Sequence, residues 1–178
     1  MCGLALGCAA LWSCQSSSDV PSDVLENPDF ATWETYHGDA TASHFSTLDE
    51  ITTDNVNNLE IAWTYQTGDH DERSQIQCNP IVIGRVLYAT SPQTKVFALD
   101  AGTGEQLWLF DPFDGGPASG VNRGVVYWSD GQGDDRILFT AGSFLYALEA
   151  TTGTLVATFG EGGKVDLHNG LEIGRAHV

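Results

Sequence analysis

The chain has 178 residues, with 24 Asp and Glu set against seven Lys and Arg, for a formal net charge of −17. So few cations argue against a nucleic-acid partner, whose phosphates need a positive surface, and against adsorption to an anionic membrane. Beyond that, the acidity speaks to solubility and solvated loops.

Residues 1–14 begin with a small, apolar run, Met1 to Trp12, that is too short to span a bilayer and has the character of an export signal. Leu11-Trp12-Ser13-Cys14 resembles the lipobox of bacterial lipoproteins, which implies a periplasmic protein held to the membrane only by a lipid on Cys14. No Lys or Arg precedes the run and Trp12 is unusual before Ser13; Leu4 to Cys8 is a poorer second match. Residues 15–30, opening Gln15-Ser16-Ser17-Ser18-Asp19, read as a flexible tether. Of the four Cys, only Cys78 lies beyond this region, where it is expected as a small buried apolar residue.

From Asn27 to Asp54 the chain is polar, with Trp33, Tyr36, Phe45 and Leu48 spaced through it. It is expected to be an ordered approach segment, with one helical turn at Thr53–Val56 capped by Thr53 or Asp54. Leu59 to Tyr65 alternates as a strand does and ends at Thr67-Gly68-Asp69. His37, His44 and His70 fall in loops without metal-ligand spacing and read as surface or packing residues.

Pro80 to Phe110 holds four short apolar runs, parted at Gly84-Arg85, at Ser91 to Thr94 and at Ala101 to Gly104. Gaps this short suit hairpins and leave no room for crossover helices, which predicts a four-stranded antiparallel meander. The unit then recurs. Val125 to Trp128, Ile137 to Thr140, Phe144 to Ala150 and Leu155 to Phe159 are the next four predicted strands, and Phe144-Leu145-Tyr146-Ala147-Leu148-Glu149 echoes Lys95-Val96-Phe97-Ala98-Leu99-Asp100. A repeat of about 50 residues carrying four strands is the mark of a β-propeller blade; an ordinary antiparallel sandwich is the alternative. The fold class expected is therefore all-β: a partial propeller over residues 31–171, with two full blades and Leu59–Tyr65 as a closing strand. Trp63 and Trp108 end equivalent strands and should stack on a neighbouring blade with the indole N–H on a carbonyl; Ala157 occupies that place in the third copy. Residues 172–178, including Ile173-Gly174-Arg175-Ala176-His177-Val178, look like a translated sequencing adapter and otherwise a natural disordered terminus.

Two stretches carry more chemistry than a generic blade. Gln77-Cys78-Asn79-Pro80 leads into the innermost strand of the first blade, and Val121-Asn122-Arg123-Gly124 into that of the second. Innermost strands line the central channel, so both lead-ins are expected at one mouth. An Arg there is a ready carboxylate clamp, because its planar fork makes paired hydrogen bonds.

With these residues in order, the chain resembles the N-terminal part of a pyrroloquinoline-quinone (PQQ)-dependent dehydrogenase of the quinoprotein sugar and alcohol type. The resemblance runs from Trp33 to Leu171 through Tyr36-His37-Gly38-Asp39, Asn55-Val56-Asn57-Asn58-Leu59, Asn79-Pro80-Ile81-Val82, Leu99-Asp100-Ala101, Trp108, Asn122-Arg123-Gly124 and Phe159-Gly160. It implies an eight-bladed ring with the quinone over the channel mouth beside Ca2+, within the range of propeller sizes. It further implies that Arg123 meets a cofactor carboxylate, with Gln77, Ser119 and Asn122 beside it. The methanol-oxidising branch has Glu where Gln77 stands, alcohol-oxidising members have a Cys pair at Pro117 and Ala118, and sugar-oxidising members have His at Ser119. The Ca2+ ligands and the catalytic base belong to later blades, so no catalytic or metal residue is assigned here. The implied activity is oxidation of a small sugar, polyol or alcohol, with electrons passed to a respiratory quinone or cytochrome c. A second reading, from another class, is a non-catalytic propeller lipoprotein that scaffolds outer-membrane assembly; it shares the Leu99 to Trp108 blade motif but has no use for Asn122-Arg123-Gly124. A propeller that binds sugar without oxidising it is a third, since fold alone does not fix function.

Overall fold

The computed structural model describes residues 33–118 and 120–170. The export signal with Cys14, the tether, Ser119 and the 172–178 tail lie outside the described residues.

Two four-stranded antiparallel meanders make up the fold. The first joins β1 (Ile81–Ile83), β2 (Val86–Thr90), β3 (Val96–Asp100) and β4 (Gln106–Phe110) in sequence order. The second joins β5 (Val126–Ser129), β6 (Asp135–Ala141), β7 (Phe144–Glu149) and β8 (Lys164–Asp166) in the same order. Successive side chains of a strand point to opposite faces. Val96 and Ala98 of β3 accordingly join Ile81, Tyr88 and Trp108 in the core against Ile137, Phe139, Tyr146 and Leu148 of the second sheet. Phe97 and Leu99 face the other way and pack with Trp63, Tyr65, Cys78 and Leu87. The first sheet is thus covered on both faces, which is why β3 is almost continuously apolar.

The packed sheets are not uniformly spaced. Stacked sheets ordinarily lie about 10 Å apart, yet the lead-ins to β1 and β5 are joined by a parallel bridge between Asn79 and Gly124. The sheets therefore converge at their innermost edges, as adjoining propeller blades do about an axis. The interlocks repeat as well. The Trp63 indole N–H donates to Ala101 O at 3.1 Å, and that of Trp108 to Ala150 O at 2.9 Å. Trp63 lies over Gly104 and Trp108 over Gly153, both at positive φ.

Three expectations need correction. Leu59–Tyr65 forms no ladder among the described residues. Its alternation is real, with Trp63, Tyr65 and Thr67 half-buried and Thr64 and Gln66 exposed, but it is satisfied by packing onto the face of the first sheet. The fourth strand of the second sheet is β8, not Leu155–Phe159. Leu155 makes a single bridge to Leu148, the chain turns with Phe159 N–H on Val156 O at 2.8 Å, and Lys164–Asp166 returns to pair with β7. Gly160, Gly162 and Gly163, all at positive φ, permit that reversal. The helical turn is a single 3-10 turn at Val56–Asn58, and Asn55 precedes it without capping it. The Asn55 side chain instead accepts from Thr52 N–H and donates to Glu50 O, each at 2.7 Å.

Candidate cofactor site

The two chemistry-bearing lead-ins meet. Asn79 N–H donates to Arg123 O at 3.0 Å, which with the Asn79–Gly124 bridge brings the starts of β1 and β5 side by side. Gly124 has a φ of +150°, and a Cβ there would stand 3.0 Å from Asn79 O, so the close approach favours a glycine. Asn122 is buried, with only 7% of its surface exposed. Its Nδ2 donates to Thr140 O at 2.8 Å and its Oδ1 accepts the Gly124 N–H at 2.6 Å, the two-residue reach of an Asx turn. Between these fixed neighbours Arg123 is exposed.

Among the described residues, Arg85 pairs with Asp100, Lys95 with Asp111 and Arg136 with Asp134, while Lys164 lies 4.6 Å over the Phe144 ring. Arg123 and Arg73 have no such partner among the described residues. An unpaired cation in a strongly acidic protein is free to take an external anion. Gln77, half-buried, lies two residues before the bridging Asn79 and offers an uncharged amide.

A cleft of about 290 Å3 opens among Asp71, Arg73, Ser74 and Gln75, then Pro92-Gln93, then Pro117-Ala118 with Gly120-Val121. Pro117 and Ala118 line it together with Arg73. Asp71 shapes the first of these stretches. Its carboxylate accepts the N–H groups of Arg73 and Ser74 at 2.8 and 2.7 Å, and Gln93 Nε2 at 3.2 Å. Those backbone donors, Arg73 first, hold its pKa below the usual carboxylate value. Gln93 then turns its Oε1 to the Ala118 N–H at 3.4 Å and links the loops. Arg73 and the Asp71–Gln93 link went unnoticed in the sequence, where an Asp-x-Arg-Ser turn has no distinguishing mark. Cys78 sits half-buried in the apolar cluster, accepting the Thr90 N–H at 3.2 Å. His37 Nδ1 and His44 Nε2 share a hydrogen bond of 2.8 Å, and among the described residues no group of three His, Cys, Asp or Glu is placed to hold a metal.

Residues 33–177 match the PQQ family described as "Glucose/ethanol/alcohol dehydrogenase, beta-propeller domain". The chain belongs to that family. Among its relatives in the PQQ family, the glycerol dehydrogenase large subunit of Gluconobacter oxydans is 31% identical over 86% of this chain and 23% of its own length. The dehydrogenase subunit of a quinone-type alcohol dehydrogenase from the same organism is 37% identical over 70% of this chain and 16% of its own. Among solved structures, the quinohemoprotein alcohol dehydrogenase of Pseudomonas putida HK5 aligns with a TM-score of 0.62 at 28% identity, covering 78% of this chain and 19% of that one. That of Comamonas testosteroni gives 0.62 at 26% identity, covering 84% and 21%. This PQQ-family chain therefore spans about a fifth of the length of the relatives it matches.

Proposed function

We propose that this chain is the N-terminal part of a PQQ-dependent dehydrogenase that oxidises a sugar, polyol or alcohol and passes the electrons to a respiratory quinone or cytochrome c. The observation that carries this is Arg123: an exposed guanidinium without an acidic partner among the described residues, on a main chain tied to the first sheet, at the converging edge of two blades of the PQQ family. PQQ bears carboxylates, and this donor set suits them. Arg123 would take one through paired hydrogen bonds, and Gln77 would add an amide. Once bound, the quinone supplies the two-electron acceptor, and the protein's share is orientation and electrostatics. The Asn79 N–H bond to Arg123 O and the Asn79–Gly124 bridge hold the Arg123 backbone just before β5. The Ca2+ ligands and the catalytic base are assigned to parts of the enzyme beyond this chain, and export with lipidation at Cys14 would put the enzyme in the periplasm. Relatives named as glycerol and alcohol dehydrogenases support a polyol or alcohol as substrate. The family match favours an enzyme over the scaffold reading.

The test is a titration of the quinone-free, full-length protein. Arg123→Ala should weaken PQQ binding by at least about tenfold, the loss of one charge-assisted bidentate contact. Equal affinity in the variant and the parent would overturn the assignment.

A further inference from the structure

We propose that Asn122 is a positioning residue which sets the affinity of the mouth for an anionic quinone by fixing Arg123, without itself contacting the ligand. The proposal rests on reading Arg123 as the carboxylate partner. Three hydrogen bonds surround that one residue. The Asn122 amide donates to Thr140 O on β6 at 2.8 Å and accepts from Gly124 N–H at 2.6 Å, while Asn79 N–H takes Arg123 O at 3.0 Å. Asn122 is buried to all but 7%, and each end of its amide already has a main-chain partner. The same amide therefore ties the lead-in loop to the second strand of its own blade, and the backbone bond ties it to the neighbouring blade. Arg123 is the residue at the centre of that brace, and only its side chain is left to the mouth.

This arrangement addresses an entropic cost. A guanidinium on a mobile loop must be ordered, backbone and side chain together, when the anion arrives, and that ordering is lost from the affinity. With the backbone fixed beforehand, only the side-chain torsions remain. Ala at position 122 frees the loop and leaves both Thr140 O and Gly124 N–H without the amide. Ser retains an oxygen that can reach the N–H two residues on but cannot reach Thr140.

The experiment is a double-mutant cycle on the full-length, quinone-free protein, read as equilibrium PQQ affinity, with thermal unfolding of each variant measured alongside. Asn122→Ala is expected to weaken PQQ binding about five- to thirtyfold, within the span usual for coupled neighbours, and Asn122→Ser by less. In the Arg123→Ala background the same substitutions are expected to change affinity less than about twofold, because the residue through which they act is gone. A general destabilisation of the blade would instead lower affinity equally in both backgrounds, which overturns the proposal. So does an Asn122→Ser or Asn122→Ala protein that binds PQQ as tightly as the parent. Should Arg123→Ala bind as the parent does while Asn122→Ala does not, the fault lies in the reading of Arg123 itself. If Asn122→Ala does not fold, the comparison is carried by Asn122→Ser alone.

Discussion

Gly153 has the face of the Trp108 indole pressed against its Cα, and an added Cβ would lie 2.5 Å from the ring. Its φ of +69° is a second obstacle to any other residue. The two costs can be separated, because Gly131 has nearly the same backbone, φ +71°, with nothing within 4 Å of its would-be Cβ. Gly131→Ala should therefore cost about 1 kcal/mol, the left-handed penalty alone. Gly153→Ala should cost about 2–4 kcal/mol, because overpacking adds to that penalty. Urea unfolding of the two variants measures the difference directly, and equal losses would mean that the ring simply moves aside. At this scale the sequence was partly legible. An Asn-x-Gly pattern beside an Arg marks an Asx turn, so the brace at Asn122 was readable in principle. The partner carbonyl on Thr140 was not, since nothing in a sequence tells which distant main-chain oxygen a buried amide will meet.

The elements show why blades read so well and their edges so badly. β1 to β4 and β5 to β7 were visible because apolar runs parted by Gly, Asp or Pro leave the chain few alternatives, and burial on one or both faces makes the pattern strong. At β8 the pattern misled. Leu155 to Phe159 is apolar enough for a strand, but the chain turns after one bridge, and Lys164–Asp166, with only Val165 apolar, takes the pairing. An outermost strand is specified by its partner's free hydrogen bonds more than by its own side chains, so periodicity says little there. The Trp interlock between elements is testable on its own terms. Trp108 is 8% exposed and touches both sheets, and its indole shares Ala150 O with the Tyr88 hydroxyl, which donates at 3.2 Å. Trp108→Phe should lose about 1–2 kcal/mol, because Tyr88 still satisfies that carbonyl. Trp108→Ala should lose about 3–5 kcal/mol by opening a cavity in the core, and Trp63→Ala less, since Trp63 is only half-buried. Thermal or urea denaturation ranks the three, and a Trp63 loss as large as that at Trp108 would contradict the ranking.

Across the whole molecule, carboxylates outnumber cations so heavily that their titration should decide where the fold is most stable. Two effects oppose each other as pH falls. The formal charge of −17 makes the compact state repel itself at neutral pH, and protonating exposed carboxylates relieves this. Against it stand carboxylates whose hydrogen bonds are native. Asp39 is lowered to about 2, chiefly by the Ser43 hydroxyl and then by that of Thr41. Asp71 and Asp100 are lowered by backbone N–H groups, those of Arg73 and Thr103 first, and Asp134 by Arg136. A carboxylate depressed in the folded state contributes stability that is fully present above its unfolded value, near 3.9, and is lost as pH falls through the folded value. Carboxylates ordinarily titrate near pH 4, so repulsion changes little between about pH 8 and pH 5, and the hydrogen-bonded set fails below about pH 4. The urea midpoint should accordingly stay nearly level from pH 8 to about pH 5 and then fall steeply toward about pH 2–3. Salt supplies the cross-check. Raising ionic strength from about 0.01 to 0.15 M shortens the Debye length from about 30 to 8 Å, so it should raise the midpoint at about pH 7 and pH 5 alike and do much less near about pH 3, where most carboxylates are neutral. A midpoint that ignores salt at pH 7 would show that this surface carries its charge too dispersed for self-repulsion to matter, leaving the paired and hydrogen-bonded carboxylates as the whole of the pH dependence.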